Sequence, residues 1–427
     1  MTTWLLFGGL IILLLLNVPI AVSLGMAVTL AMLFGDTTIP LLMIPQRMFT
    51  AIDSFPYMAI PFFLFAGNLM CEGGISSRLT NLARNLVGWM PGGLGIVTII
   101  SSAFFGALSG SNAATVAAIG GTMIPAMEED DYPKDYACAV AAASGTLGVV
   151  VPPSIPMVTY GIITGVSIGV LFISGIVPAL LMVLALGGTI VIQARKLNIP
   201  PIKVTLKGIL VSFWQAIPAL IMPLIILGGI YGGLFTPTEA AAIACLYSLI
   251  ITMFVFKEIN FKDLLRIMYE SGKMTAVIFV IIACSSGFVW LLTMNQIPEA
   301  IAAGILGISQ NPIIILLFVN LLLLLLGVFL ETNSIILLVT PMLLPVMAQI
   351  GFSPLALGIV MIVNTSVGMI TPPMALNIIV ASSVGGLPIE AISKRIIPML
   401  LALIGVILLI TYVPDLIYLM PRLTGQM

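Results

Sequence analysis

Two short polar clusters interrupt long apolar segments of this sequence, at residues 109–112 (Ser-Gly-Ser-Asn) and 331–334 (Glu-Thr-Asn-Ser). An apolar chain that is broken so briefly predicts a helical hairpin that enters a membrane and turns back inside it. At such a tip, free N–H groups suit a carboxylate, whereas free carbonyls and Ser, Thr and Asn oxygens suit Na⁺. The alternative is that these side chains only cap the hairpin helices.

A Gly/Ser/Thr run that ends in a proline pair follows each cluster, at 145–154 and 365–374. Proline has no N–H and clashes with the preceding turn, so neither run can continue as a regular helix. Broken backbone within a bilayer is tolerated where it is buried in protein or lines a cavity. We therefore expect each run to form the wall opposite a hairpin tip, at 148–153 for the first and 368–373 for the second.

Two glutamates within or beside apolar segments have different interpretations. Glu331 follows a run of leucines and is expected deep in the membrane, where an ionisable side chain is a functional candidate. Three roles remain open for it: binding a cation, carrying a proton, or hydrogen bonding to the hairpin backbone. Glu239 stands three residues after Thr236, with Pro237 between them, and this capping-box spacing predicts the start of a helix.

The composition places the chain in a membrane. Of its 427 residues 60% are hydrophobic and 7% are charged, against roughly 25% charged residues in soluble proteins. The net charge of -1 gives no basic face for nucleic acid. The sequence has no histidine, and its four cysteines are scattered singly, which gives no support to a metal centre or a catalytic base. The apolar N-terminus carries no preceding Lys or Arg and is expected to be a retained span.

The order of segments indicates a duplication. Subtracting 220 from the second-half prolines 345, 372, 373 and 398 and glycines 368 and 385 gives the same residue type in the first half. We predict an all-α polytopic membrane protein of two inverted-topology repeats, 1–205 and 206–427. Each has a re-entrant hairpin (92–127 and 311–350), a broken transmembrane helix (136–163 and 356–384) and a polar surface arm (36–56 and 257–273).

Basic residues predict the orientation. If the segment from Arg195 to Lys207 is cytoplasmic, threading the chain leaves only Arg47 and Arg422 of the 15 Lys and Arg residues outside. The same threading places both termini outside. It opens the first hairpin to the cytoplasm and the second to the exterior, so the halves are inverted.

Several motifs resemble one transporter family. They are Ser-Gly-Ser-Asn-Ala-Ala-Thr at 109–115, Gly-Gly-x-Met-Ile-Pro at 120–125, Ala-Ala-Ala-Ser-Gly-x-Leu-Gly at 141–148 and Val-Pro-Pro-Ser-Ile-Pro at 151–156. Together they are similar to the large permease subunit of tripartite ATP-independent periplasmic (TRAP) transporters, over essentially the whole chain. The resemblance implies Na⁺-driven uptake of an organic acid, of the C4-dicarboxylate or sialic acid class, across the bacterial inner membrane. It also implies an elevator motion against a scaffold near 4–35 and 212–256, with a periplasmic substrate-binding protein and a separate small four-helix membrane subunit as partners.

The resemblance also implies about two Na⁺ sites and a substrate site between the tips. The first ion site comprises Ser109, Ser111, Asn112, Gly148, Val151 and Pro153. The second comprises Glu331, Thr332, Asn333, Gly368, Thr371 and Pro373. The substrate residues are Ser111, Asn112, Ser154, Asn333 and Ser334.

Three other functions compete with this interpretation. A stand-alone divalent-anion/Na⁺ symporter has a similar inverted-hairpin plan and would work without a binding protein. An intramembrane enzyme needs a nucleophile–base pair or a metal cluster, and the sequence offers neither, so no catalytic residue is predicted. An ion channel is disfavoured because the paired breaks are typical of sites that close around an ion.

Overall fold

The structure is a computed structural model that describes residues 2–35, 39–197, 199, 204–373 and 375–426, apart from the side chain of Ile308. The described chain is all-helical, with two short 3₁₀ segments at Phe55–Met58 and Gly145–Val149 and a π turn at Ile251–Val255. The α-helices are α1 Thr2–Leu15, α2 Ile20–Phe34, α3 Met43–Ile52, α4 Ala59–Glu72, α5 Ile75–Val87, α6 Gly93–Ser109, α7 Asn112–Glu129, α8 Lys134–Ser144, α9 Ile155–Thr164, α10 Ile168–Leu197, α11 Leu206–Tyr231, α12 Pro237–Ile250, α13 Phe261–Met294, α14 Ile297–Ile308, α15 Pro312–Phe329, α16 Thr332–Gln349, α17 Pro354–Gly368, α18 Leu376–Gly385, α19 Ile389–Tyr412 and α20 Asp415–Leu423.

Seven of the described helices are long and apolar enough to cross a membrane, or eight if the bent pair α3 and α4 counts as one span. This confirms a polytopic membrane protein. The N-terminal helices α1 and α2 have 14 and 15 residues and pack against each other. At 1.5 Å per residue each is shorter than the ~30 Å hydrocarbon core, so neither α1 nor α2 alone has the length expected of the retained N-terminal span.

Both predicted hairpins and both predicted broken helices are present. α6 and α7 form the first hairpin, and α15 and α16 form the second. The first broken helix is α8, the 3₁₀ turn and α9; the second is α17 and α18, with a turn and bends in the described residues between them. Each break contains a cis peptide bond within its proline pair. Part of the second break, Met374, lies outside the described residues.

The two halves present their helices in the same order, with one difference in the arms. In the first half the arm α3 is separate from α4, and the two are bent by 62°. In the second half the predicted arm 257–273 is not a separate helix, because α13 continues without a break from Phe261 to Met294. Ser271 and Gly272 stand at the transition from its polar to its apolar part, but no proline does, and the helix continues across it. Residues 36–38 of the first arm lie outside the described residues.

The long helix α13 contacts Glu72 near its start and Arg47 near its end. Near its start Arg266 forms an ion pair with Glu72 of α4. Near its end the Ser286 hydroxyl donates to the carbonyl of Arg47 on α3, at 3.3 Å. The roughly 20 residues between these contacts measure about 30 Å along the helix, the thickness of the hydrocarbon core. Arg47 and Arg266 therefore lie beside opposite ends of α13, and the side of the membrane on which each stands stays a prediction of the basic-residue threading.

Candidate functional site

The first hairpin tip turns through a glycine in the left-handed conformation, Gly110 with φ 57°. Ser111 begins the second helix of the hairpin, but its hydroxyl accepts only a long 3.5 Å bond from the Ala114 N–H. The Thr115 hydroxyl donates to the Ser111 carbonyl at 2.7 Å and lies 3.1 Å from the Ser109 hydroxyl. Three side-chain or carbonyl oxygens thus converge within one turn of chain, and the cap itself is weak.

The first break packs directly on this tip at Gly148. A Cβ added to Gly148 would lie 2.5 Å from the Ser111 carbonyl oxygen and 2.6 Å from the Thr115 hydroxyl. In a continuous helix the Gly148 carbonyl would accept from residue 152, which is a proline and has no N–H. Among the described residues no hydrogen bond replaces that one. A buried carbonyl without a donor is therefore left beside the tip, and a cation is a partner that such an oxygen can bind.

Asn112 connects this tip to both repeats. Its amide oxygen accepts from the Val149 N–H in the first break, at 3.1 Å. Its amide nitrogen donates to the Ser366 hydroxyl of α17 at 2.8 Å, and the Ser366 hydroxyl donates to the Thr146 carbonyl at 2.6 Å. Thr146 and Ser366 are 220 positions apart, the same offset as the repeat. Corresponding positions of the two copies therefore meet here, across the boundary between the halves.

The second tip meets the second break and also the first broken helix. The Thr332 hydroxyl lies 3.3 Å from that of Thr365 and 3.7 Å from the sulfur of Met369. The Asn333 amide oxygen accepts from the Thr159 hydroxyl of α9, at 3.4 Å. Since Met369 is also 3.2 Å from the Asn112 amide nitrogen, both tips and both breaks lie at one level of the molecule. We call this region the junction.

Glu331 differs from its neighbours at the second tip. Thr332, Asn333 and Ser334 are buried, whereas the Glu331 side chain is exposed. Its carboxylate accepts a 3.2 Å hydrogen bond from the Asn333 amide. The carboxylate therefore orients the Asn333 amide at the second tip.

The second break approaches its hairpin as closely as the first break does. In the second break, however, two carbonyls already accept hydrogen bonds. A Cβ on Gly368 would lie 2.6 Å from the Cα of Gly327 on α15. The Gly368 carbonyl accepts from the Thr371 N–H at 2.9 Å, and the Met369 carbonyl accepts from the Asn377 N–H at 3.0 Å. The two repeats are thus alike in packing and unlike in which backbone oxygens remain available.

Some predicted site residues lie away from the tip contacts. The Val151 side chain lines an apolar cavity between α6, α10 and α11, together with Pro152. Pro153 is buried, and the Ser154 hydroxyl donates to the Val149 carbonyl. Pro373 is exposed, and the Thr371 hydroxyl bonds within its own turn to Val367.

Four junction residues were missed as site residues: Thr115, Thr159, Ser366 and Met369. Only two carried a usable signal. Thr115 stands in the same polar run as the first tip, and Ser366 matches Thr146 at the repeat offset. Thr159 lies within an apolar stretch and Met369 is an apolar residue of the second Gly/Ser/Thr run, so only the folded structure shows their contacts.

The chemistry of the junction is that of neutral oxygen donors. Hydroxyl, amide and carbonyl oxygens are brought together, with a single carboxylate at the rim. No group of three His, Cys, Asp or Glu side chains that could hold a metal ion occurs in the described part of the chain. Neutral oxygens at broken helices are the donor set that Na⁺ uses in secondary transporters, so the residues present fit that ion.

Comparison with known proteins identifies a family. Residues 7–416 match the family described as the tripartite ATP-independent periplasmic transporter, DctM component. The chain is 38% identical to the C4-dicarboxylate TRAP transporter large permease protein DctM of Rhodobacter capsulatus, with all of both chains covered. It is 36% identical to the sialic acid TRAP transporter large permease protein SiaM of Vibrio cholerae, covering 95% of each.

Two further similarities differ in extent. The chain is 43% identical to the isethionate TRAP transporter permease protein DctMQ of Oleidesulfovibrio alaskensis; the match covers 96% of this chain and 65% of that relative. Among solved structures, the YdaH transporter of Alcanivorax borkumensis aligns over 96% of this chain and 97% of its own, with a TM-score of 0.64. At 17% identity this last similarity shows the fold alone.

Proposed function

Because the chain belongs to the DctM component family of tripartite ATP-independent periplasmic transporters, we propose that it carries an organic acid across the bacterial inner membrane by Na⁺-coupled secondary transport. The observation that carries the proposal is the junction, where Asn112 ties the first tip to both breaks. Transport requires a site that both sides of the membrane can reach in turn, and two inverted tips that meet at one level provide it.

One Na⁺ is proposed to bind between the first tip and the free Gly148 carbonyl. The hydroxyls of Ser109, Ser111 and Thr115 stand on the tip side of this gap. A cation there would take the place of the N–H donor that Pro152 lacks. The Gly148 carbonyl would then have a partner, which favours binding of the ion at this position. Binding would also hold the tip against the break, since oxygens of both would then coordinate the same ion.

A second Na⁺ is proposed at the second tip, beside Thr332 and Asn333 and the second break. Because the Gly368 and Met369 carbonyls already have donors, this site depends more on hydroxyl and amide oxygens than the first. Of the three roles open for Glu331, its exposed position and its bond to Asn333 favour indirect support of this site.

The substrate carboxylate is proposed to lie between the tips, where the helices α7 and α16 begin. N-terminal N–H groups of these helices are the natural partners of a carboxylate. The substrate class comes from the relatives, whose names cite C4-dicarboxylate, sialic acid and isethionate; we propose a small organic acid of this kind.

The transport cycle is proposed to be an elevator motion of the hairpins and broken helices against a scaffold that includes α1, α2, α11 and α12. The proposed partners are a periplasmic substrate-binding protein and a small four-helix membrane subunit. Both termini are proposed to be periplasmic, following the distribution of Lys and Arg.

The test is uptake by the purified chain in liposomes, with its small subunit and binding protein, measured with radiolabelled succinate, isethionate and N-acetylneuraminate. We expect uptake of one of these acids under an inward Na⁺ gradient and none when choline replaces Na⁺. Uptake with no dependence on Na⁺ would contradict ion coupling. Na⁺-driven uptake by this chain without either partner would instead establish the stand-alone symporter.

A further inference from the structure

A cavity of about 360 Å³ lies beside the junction and is lined in part by Arg47. On one side it is lined by the arm helix α3, the 3₁₀ turn Phe55–Met58 and the last third of α13. On the other side it is lined by α9 and α16, the helices that carry Thr159 and Asn333. Its volume falls in the range of small-molecule sites.

The cavity has one cationic group and an unsatisfied donor. The Arg47 guanidinium lies 5.4 Å from the ring centre of Trp290 and forms no ion pair with any described carboxylate. Ser285 lines the same cavity and is 2% exposed, and its buried hydroxyl oxygen has no hydrogen-bond partner among the described residues. A buried hydroxyl without a hydrogen-bond partner is uncommon, and a bound ligand would supply that partner. A fixed cation with a free O–H group beside it suits a carboxylate or a related oxyanion.

The cavity is also one helical turn from the junction. Its wall residue Ile163 follows Thr159 by four positions on α9, and its wall residue Leu337 follows Asn333 by four on α16. One turn of helix is 5.4 Å, so these wall residues lie about that distance along their helices from the Thr159–Asn333 contact at the junction.

We propose that this cavity is a separate carboxylate-binding site, in which Arg47 and Ser285 hold an organic-acid anion before it reaches the tips. Its transport role rests on the function proposed above, whereas binding itself does not. Because the site contains a fixed cation and none of the proposed Na⁺ ligands, it binds the anion without Na⁺.

Trp290 provides the measurement. In a chain that carries Trp4→Phe, Trp89→Phe and Trp214→Phe, Trp290 is the single remaining tryptophan. Titrating this purified chain with succinate and isethionate in sodium-free choline buffer should change its fluorescence saturably. Arg47→Gln should raise the half-saturating concentration at least about tenfold, as expected for loss of a charge-assisted hydrogen bond, and Arg47→Lys should have a smaller effect.

Ser285→Ala serves as the second variant because it leaves the Arg47–Trp290 stack in place. It should weaken binding by about fivefold. Arg422→Gln is the matched control: Arg422 is the other arginine that the basic-residue threading leaves outside, and it pairs with Asp415 instead. It should leave the titration unchanged.

The outcomes separate this inference from the proposed function. If no acid changes the fluorescence, or if chloride works as well as succinate, the carboxylate site is wrong even if Na⁺-driven uptake is observed. If the Arg47- and Ser285-dependent titration is seen without any Na⁺-driven uptake, the site stands and the transport proposal fails.

Discussion

The contact between Gly148 and the first hairpin tip makes the sharpest prediction. Gly148→Ala places a methyl carbon 2.5 Å from the Ser111 carbonyl oxygen and 2.6 Å from the Thr115 hydroxyl. Gly148 is not in the left-handed region, so the cost is steric and not conformational. The threonine can rotate, but the backbone oxygen cannot, and overpacking of this kind costs about 1–3 kcal/mol. If Na⁺ binds across this gap, the same energy lowers its affinity by about 5- to 150-fold.

The assay is the Na⁺ dependence of uptake in liposomes, together with the thermal midpoint of the purified protein. Gly121→Ala is the matched control because Gly121 lies on the same hairpin and a Cβ there meets no atom within 4 Å. We expect the control to keep the wild-type half-saturating Na⁺ concentration, with a thermal midpoint that is equal to wild type or slightly higher because alanine favours the helix. Gly148→Ala should raise that concentration at least fivefold, by the lower limit of the steric cost.

Two results would refute this reasoning. A lower thermal midpoint with unchanged Na⁺ dependence would mean that the contact is purely structural and that the ion binds elsewhere. An unchanged midpoint together with unchanged Na⁺ dependence would mean that the tip does not press on Gly148 at all.

Three further predictions follow from named contacts. Asn112→Ala leaves the Val149 N–H without its acceptor and the Ser366 hydroxyl without its donor, so it should lower the free energy of unfolding by about 2–4 kcal/mol, measured by denaturant titration in detergent. Ser111→Ala removes an oxygen from the first proposed Na⁺ site and loses only a 3.5 Å cap bond, so it should raise the half-saturating Na⁺ concentration with the thermal midpoint within 1–2 °C of wild type, roughly the effect of a few tenths of a kcal/mol. Thr236→Ala removes the hydroxyl of the capping box of α12 and should cost about 1 kcal/mol of stability without altering Na⁺ dependence, a result that a change in ion coupling would contradict.

Local covalent chemistry explains which parts of the fold could be predicted. The proline pairs at 152–153 and 372–373 break their helices wherever the chain places them, because they lack N–H groups. The capping box that begins with Thr236 is also local, and the structure confirms both of its hydrogen bonds. Short polar interruptions in apolar runs are local signals as well, and they predicted the two hairpins.

Helices with only a short apolar stretch were harder to predict. The helices α5, α14 and α20 were not expected, because their apolar stretches are short and their stability comes from packing on neighbours. The second arm was expected to end near residue 273, where the composition changes. Composition sets which part of a helix lies in lipid, but not where the helix stops, so α13 continues through.

The sequence by itself determined the membrane class, the duplication, the two breaks and the two polar tips that face them. Only the tertiary structure decided that Asn112 reaches Ser366 across 254 residues, that the Gly148 carbonyl has no donor, and that Arg47 and Ser285 line one cavity. The physical reason is range. A backbone break or a helix cap is fixed by residues within one turn, whereas a hydrogen bond or a cavity between repeats depends on packing that no local pattern encodes.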